Sequence, residues 1–393
     1  MSDFDIKSIL SPVVKNMAPS GIRKFFDIVN EMDGAISLGV GEPDFITPAH
    51  IREAGISSLE NGHTYYTSNS GLATLRCEIA NYLKRRFSLE YDDASEVLVS
   101  VGGSEAIDLI LRAIVAPGDE VLVPEPSFVC YKPDTELAGG VAVPLETYEE
   151  DNFALRADVL RNAITPKTKA LVLPYPNNPT GGIMTREQLE EIAKVLEGTN
   201  IIVISDEIYA ELTYGKNKHF SIAQIPSMRE RTVIVSGFSK AYAMTGWRLG
   251  YACGNKELIS AMTKIHQYAI MSAPTTSQYA AIEALKNGDG DIERMKKEYD
   301  RRRRYIVDGF RKMGLSCFEP LGAFYVFPCI KSTGFSSNEF CEKLLQEEKI
   351  AVIPGNAFGK SGEGFIRCSY AYSIDNIREA LERIERFVKR HKK

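Results

Sequence analysis

Ser236-Gly-Phe-Ser-Lys240-Ala-Tyr-Ala-Met-Thr245-Gly-Trp-Arg248-Leu-Gly250 follows an apolar β-branched run, Thr232 to Val235, and leads into a second short run, Leu249 to Cys253. The first run reads as a buried strand and the second as another short strand. Lys240 therefore sits in a loop of small residues between strands. Its neighbours Phe238, Ala241, Tyr242 and Ala243 predict partial desolvation. Desolvation disfavours the ammonium and leaves a nucleophilic amine, as Schiff-base chemistry with a carbonyl cofactor requires. Arg248, Ser236 and Ser239 supply a guanidinium and hydroxyls that suit a phosphate-bearing aldehyde. With 47 Lys and Arg in the chain, the plain alternative is a surface lysine. The apolar neighbourhood weighs against it.

Outward from this loop, the near-continuous apolar runs Val97–Val101, Glu120–Pro124, Val141–Pro144, Lys169–Leu173, Ile201–Ile204 and Thr232–Val235 alternate with helical patterns. Helices are expected at Pro48–Glu60, Leu72–Phe87, Ser104–Val115 and Glu187–Leu196. Such runs separated by helices mark an α/β architecture, with a mostly parallel sheet covered on both faces. This large domain is placed at 45–290. After Asn287 the composition shifts to a long charged helix, Ile292–Met313, then to strands near Cys317, Ala323–Phe327, Ala351–Ile353 and Gly364–Ser369. Helices at Ser337–Glu347 and Ile374–Lys389 complete a smaller α+β domain, 291–393. Residues 1–44 read as an N-terminal arm joining that domain, with one amphipathic helix carried by Ile22, Phe25, Phe26 and Val29.

The 393 residues suffice for a sizeable core, and 44% apolar with 25% charged residues is ordinary for a globular protein. A net charge of −5 gives no footprint for nucleic acid or a basic membrane face. No apolar run reaches the ~18 residues of a membrane span. Met1-Ser-Asp-Phe-Asp has no basic segment leading into an apolar stretch, so no signal peptide is expected. The seven scattered cysteines suit reduced thiols in a cytoplasm, and five isolated histidines argue against a metal site. Asn287-Gly-Asp-Gly-Asp291 imitates a calcium loop, but Ile292 stands where the sharp-turn glycine belongs, so a helix start is expected. Arg301 to Arg304 reads as a solvated helix face rather than a nuclear signal.

Several other residues can carry chemistry. Gly102-Gly-Ser104-Glu105 opens a helix after a strand, where free amides meet an anion. Asp206 ends a strand and is followed by Tyr209. It can pair with a pyridine nitrogen or simply cap a helix. Asn177-Asn178-Pro-Thr-Gly181 presents amides from a fixed loop, or is a plain turn. Phe128 can stack on a ring or belong to the core. Arg367, a charge inside an apolar strand, needs a partner, either a substrate carboxylate or a structural one. Gly39-Val-Gly41-Glu-Pro-Asp44 lacks the third glycine of a dinucleotide fingerprint. It allows either a backbone approach to a ligand or an ordinary turn.

Taken together, these residues resemble the class I/II aminotransferases of the fold-type I pyridoxal-phosphate enzymes. The resemblance spans nearly the whole chain. It rests most on the Lys240 loop, Asn177 to Gly181, Asp206-Glu-Ile-Tyr209 and Gly39 to Asp44. It implies pyridoxal 5'-phosphate held as an imine on Lys240, which also shuttles a proton between Cα and C4′. It implies that Asp206 pairs with the pyridine nitrogen, and that Tyr209 and Asn178 bond the phenolate oxygen. Phe128 would stack on the ring, while Gly103, Ser104, Glu105, Ser239 and Arg248 would hold the phosphate. Arg367, Asn178 and the Gly39 backbone would grip the substrate α-carboxylate. Tyr66, five residues before Gly71, would reach the partner's cofactor phosphate in a homodimer with shared active sites. Gly237 stands where some members carry a phosphate-binding serine three residues before the lysine. The resemblance implies as substrates an amino acid (aspartate, aromatic or other neutral) and a 2-oxo acid such as 2-oxoglutarate. The rival on this scaffold is a β-eliminating carbon–sulfur lyase.

Overall fold

The computed structural model describes residues 6–19, 21, 32 and 34–391. The expected helix carried by Ile22, Phe25, Phe26 and Val29 lies outside the described residues. In the arm, Pro12–Asn16 forms one helical turn.

The strands, in chain order, are β1 (Ile36–Ser37), β2 (Val97–Ser100), β3 (Glu120–Glu125), β4 (Val141–Glu146), β5 (Thr168–Leu173) and β6 (Ile202–Asp206). They continue as β7 (Thr232–Gly237), β8 (Gly250–Cys253), β9 (Tyr325–Val326), β10 (Ile350–Ala351), β11 (Ile353–Pro354) and β12 (Ile366–Ser369). Seven of them form one sheet in the order β2-β8-β7-β6-β5-β3-β4. Only β8 runs against its neighbours. Side chains alternate between the two faces, as strand geometry demands. Val233 and Val235 pack with the helix Gly102–Ile114, whereas Ile234 packs on the opposite side with the helices Ala73–Phe87 and Thr275–Asn287. Both faces are thus apolar, which explains why β7 has no polar residue from Val233 to Val235 and is buried throughout.

Beyond the arm, and among the described residues, the sequence missed four helices, Tyr131–Leu137, Ala157–Ala163, Lys256–Ala269 and Thr275–Asn287. The first two span only seven residues, too short for a periodic signal. The expected strand at Cys317 does not form, and its carbonyl accepts from Arg311 Nε and Nη2 at 3.1 and 2.9 Å. The helix Asp289–Lys312 begins inside the calcium-like stretch. There Asp291 bonds His50 at 2.9 Å and Arg294 at 2.9 Å.

The arginine run departs in part from its reading as a solvated face: Arg301 and Arg304 are exposed, but the two between them are not. Arg302 and Arg303 are only 6% and 5% exposed. Arg302 pairs with Asp44 and Glu298, and Arg303 with Asp300 and Glu319. Two consecutive positions on a helix point about 100° apart, so a charged run on a packed helix cannot all face water.

The C-terminal strands form a three-stranded antiparallel sheet, β11-β12-β9. β1 pairs in parallel with β10, Ile36 against Ile350, and so stitches the N-terminal segment to this unit. Leu38, Phe310, Phe324, Phe340 and Phe387 share its core. Tyr209 and Tyr214, which follow β6, enter the same core, so the end of the large sheet abuts the smaller unit.

Candidate active site

Strands β5, β6 and β7 run in parallel, and their carboxyl ends open on one side of the sheet, where ligands gather in such folds. A cleft of about 300 Å³ lies there. Its floor comes from the loops after β5, β6 and β7 and from the start of the helix Gly102–Ile114. Tyr325 on β9, Arg367 on β12 and the Gly41 loop close it from the other side.

Lys240 follows β7 by three residues, and its Nζ donates to the Gly41 carbonyl at 2.7 Å. Burial lowers its proton affinity to about 8, helped by Arg367 and Arg248 and opposed by Glu42 and Asp206. The amine is thus available as a nucleophile near neutrality.

Asp206 is the last residue of β6 and is buried. Its Oδ2 accepts from the Tyr131 hydroxyl at 2.7 Å and its Oδ1 from the Ile208 amide at 3.1 Å. Burial pushes its carboxyl above the ordinary range, and the two donors oppose that shift. Residues 208–211 form a turn, so the helix-cap alternative has no helix to serve. Glu207 faces the other way, holding Ser205, Ser221 and His219 at 2.8, 2.6 and 2.8 Å.

Arg367 is buried and donates from Nη1 to Asn178 Oδ1 at 2.9 Å and from Nη2 to the Gly39 carbonyl. Its Nε has no partner among the described residues. The guanidinium lies over the rings of Tyr325 and Phe358, 4.6 and 4.8 Å from their centroids. Among the described residues no carboxylate pairs with it, which favours the ligand reading over a structural ion pair. Asn177, by contrast, serves its own loop, accepting from the Thr180 amide and hydroxyl at 3.2 and 2.9 Å.

Gly102 has φ +76°, and a Cβ there would lie 2.8 Å from Arg248 Nη2. The turn thus lets the guanidinium lie against the start of a helix whose free amides attract anions. Gly103, Ser104, Ser239 and Phe128 also line the cleft. At Gly237 a Cβ would sit 2.9 Å from both Gly250 Cα and the Leu249 carbonyl, so no serine fits there. The Glu105 carboxylate turns away: it accepts from the Val101 amide at 2.5 Å and pairs with the buried His266 at 2.8 Å. What Glu105 offers the helix start is its backbone. Tyr66 is 77% exposed and is not brought into this chain's own cleft.

Sequence reasoning missed Tyr131, Tyr325 and the Gly41 carbonyl as parts of the cleft. Tyr131 lies 75 residues from Asp206, and Tyr325 lies 116 from Tyr209, whose hydroxyl it meets at 2.8 Å. No local pattern distinguishes these tyrosines from core aromatics. Among the described residues, no cluster of His, Cys, Asp and Glu is placed to hold a metal. None of their helices is long and apolar enough to cross a membrane.

A buried amine, a carboxylate, a phenol, an amide and two guanidiniums thus converge around a glycine-rich helix start. The family described as aminotransferase class I and II matches residues 33–384. The aspartate aminotransferase of Pyrococcus abyssi is 46% identical over 95% of this chain and 97% of its own. The aromatic-amino-acid aminotransferase 2 of Thermococcus litoralis is 42% identical over 98% and 99%. The crystal structure of an aromatic aminotransferase from Pyrococcus horikoshii superposes with a TM-score of 0.89, at 45% identity over 93% of this chain and 99% of that one. With relatives of this kind, the lyase alternative is not favoured. The chain belongs to the class I and II aminotransferases and is an enzyme of transamination.

Proposed function

We propose that this enzyme uses pyridoxal 5'-phosphate, carried by Lys240, to move an amino group from an amino acid to a 2-oxo acid. The observation that carries the reading is the placement of the Lys240 amine in one cleft with Asp206, Asn178, Tyr209, Arg248 and Arg367, where burial lowers its proton affinity. The residues present fit the cofactor: the glycine turn under Arg248 suits its phosphate, and the unpartnered Nε marks Arg367 as ready for a further acceptor.

When bound, pyridoxal phosphate supplies an aldehyde for the amino group and a ring that stores an electron pair. Arg248, the hydroxyls of Ser104 and Ser239 and the amides of Gly103 to Glu105 bind the phosphate. Asp206, steadied by Tyr131, holds a proton at the pyridine nitrogen. Tyr209 and Asn178 donate to the phenolate oxygen, and Phe128 covers the ring. Arg367 orients the substrate by its α-carboxylate, with Asn178 and the Gly39 backbone. Lys240 Nζ would be the group that carries the proton between the substrate Cα and C4′ of the cofactor.

The relatives named for aspartate and for aromatic amino acids support donors from those two classes. Other neutral amino acids as donors and 2-oxoglutarate as acceptor complete the proposal. The molecule works in the cytoplasm as a homodimer whose sites share Tyr66. Its domains are the arm 1–44, the cofactor domain 45–290 and the small domain 291–393. A half-reaction screen tests the reading. Amino donors should shift the cofactor absorbance to the amine form, and 2-oxoglutarate should restore it. Donors that release keto acid and ammonia, with no response to 2-oxoglutarate, would overturn it.

A further inference from the structure

Tyr325 occupies an unusual junction. It lies on β9 of the small unit, yet its hydroxyl meets that of Tyr209 at 2.8 Å, and its ring face lies 4.6 Å beneath the Arg367 guanidinium. One side chain thus touches both the phenol proposed for the cofactor oxygen and the arginine proposed for the substrate carboxylate. Gly41 is bound up in the same packing. A Cβ there would stand 2.4 Å from the Tyr325 hydroxyl, so the glycine leaves room for that hydroxyl.

In a hydroxyl pair either oxygen can be the donor. The choice is removed once Tyr209 directs its proton to a phenolate. Its remaining lone pairs can then only accept, and Tyr325 must donate to it. A donor that itself accepts a hydrogen bond is polarised and donates more strongly. Burial pushes both phenols above their ordinary range, so both keep their protons at neutral pH. The charged and titratable groups facing the pair are Arg367, Lys240, Asp206 and Tyr131.

We infer that Tyr325 is a positioning residue with two separable parts: its hydroxyl directs the Tyr209 proton toward the cofactor oxygen, and its ring seats Arg367. The inference rests on the cofactor reading above. A stronger donor to the phenolate favours the more anionic state of the bound cofactor, in which the nitrogen bonded to it has lost its proton. The midpoint of the visible absorbance titration therefore falls when the relay is present and rises when it is cut.

The test uses the cofactor-loaded enzyme and four proteins. Tyr325→Phe keeps the ring and removes the hydroxyl. It should raise the absorbance midpoint by about 0.5 pH unit, as expected when a charge-assisted bond loses a tenth to a third of its strength. The KM for the amino donor should stay within about twofold, since the ring contact remains. Gly41→Ala, whose added carbon displaces the same hydroxyl, should move the midpoint in the same direction. Tyr325→Leu should do so too, and should also raise KM about tenfold through loss of the ring beneath Arg367. A wild-type band that titrates, with the same midpoint in Tyr325→Phe, would overturn the relay while leaving the cofactor reading intact. A wild-type enzyme with no visible cofactor band would overturn both, and a visible band that does not titrate would overturn the relay alone. An equal rise in KM for the Phe and Leu variants would overturn the division between hydroxyl and ring.

Discussion

Arg367 and Asn178, 189 residues apart, meet through a 2.9 Å hydrogen bond from Nη1 to Oδ1. The bond joins β12 of the small unit to the loop after β5 of the large sheet, across the cleft. A substrate carboxylate gripped by both would be held by the two units at once. The guanidinium is a planar fork, and a lysine ammonium cannot copy its geometry.

Arg367→Lys should therefore raise the KM for both amino donor and 2-oxo acceptor by about 10- to 100-fold, the worth of one charged hydrogen bond. Cofactor absorbance should be intact. Steady-state kinetics with both substrates decide it: unchanged Michaelis constants would rule the anchoring role out.

Asp206 tests the electron-sink reading. Replacing it with Asn keeps the shape but removes the charge, and kcat should fall on the order of 10²–10³-fold. Asp206→Glu keeps the charge and should lose much less. Equal, small losses in both variants would leave Asp206 a purely local role in its turn.

Lys240 gives a prediction in pH. Only the free amine attacks an aldehyde, so the rate of cofactor capture by the cofactor-free protein should climb about tenfold per pH unit. It should level off above about pH 8, whereas an ordinary lysine would climb on toward 10.5. The same shift links to stability. A folded-state affinity below the unfolded value means that the buried ammonium costs stability below pH 8, and that the cost is relieved between about 8 and 10.5. Lys240→Met should raise the cofactor-free Tm at pH 7, with a smaller gain near pH 10. Borohydride reduction of the loaded enzyme should label Lys240, and label on another lysine would sink the assignment.

Tyr66 tests the shared site. A phenol bonded to phosphate is worth about 1.5–3 kcal/mol. Mixing Tyr66→Phe chains with Lys240→Ala chains puts both lesions in one site of a heterodimer and neither in the other. Activity should return in about half the sites of each heterodimer. If heterodimers form and nothing is recovered, Tyr66 does not act across the interface.

The strands and their order along the chain were legible in the sequence because local signals fix them. Runs such as Val97–Val99 and Val233–Val235 must be buried on both faces, and glycine, proline and asparagine punctuate the loops between them. The same local reading singled out Lys240 and Asp206 after apolar runs and Arg367 inside one, while Asn178 stood out in a proline- and glycine-fixed loop and Arg248 by its closeness to Lys240. Partnership was another matter. That Tyr131 donates to Asp206, that Tyr325 meets Tyr209, that Arg302 is buried against Asp44 while Arg301 is not, and that the Glu105 carboxylate turns to His266 depend on contacts between distant segments. A side chain's local neighbours set its chemical type and its strand or helix. Only the packed chain decides which way it points, because desolvation and hydrogen-bond geometry are properties of the assembled core.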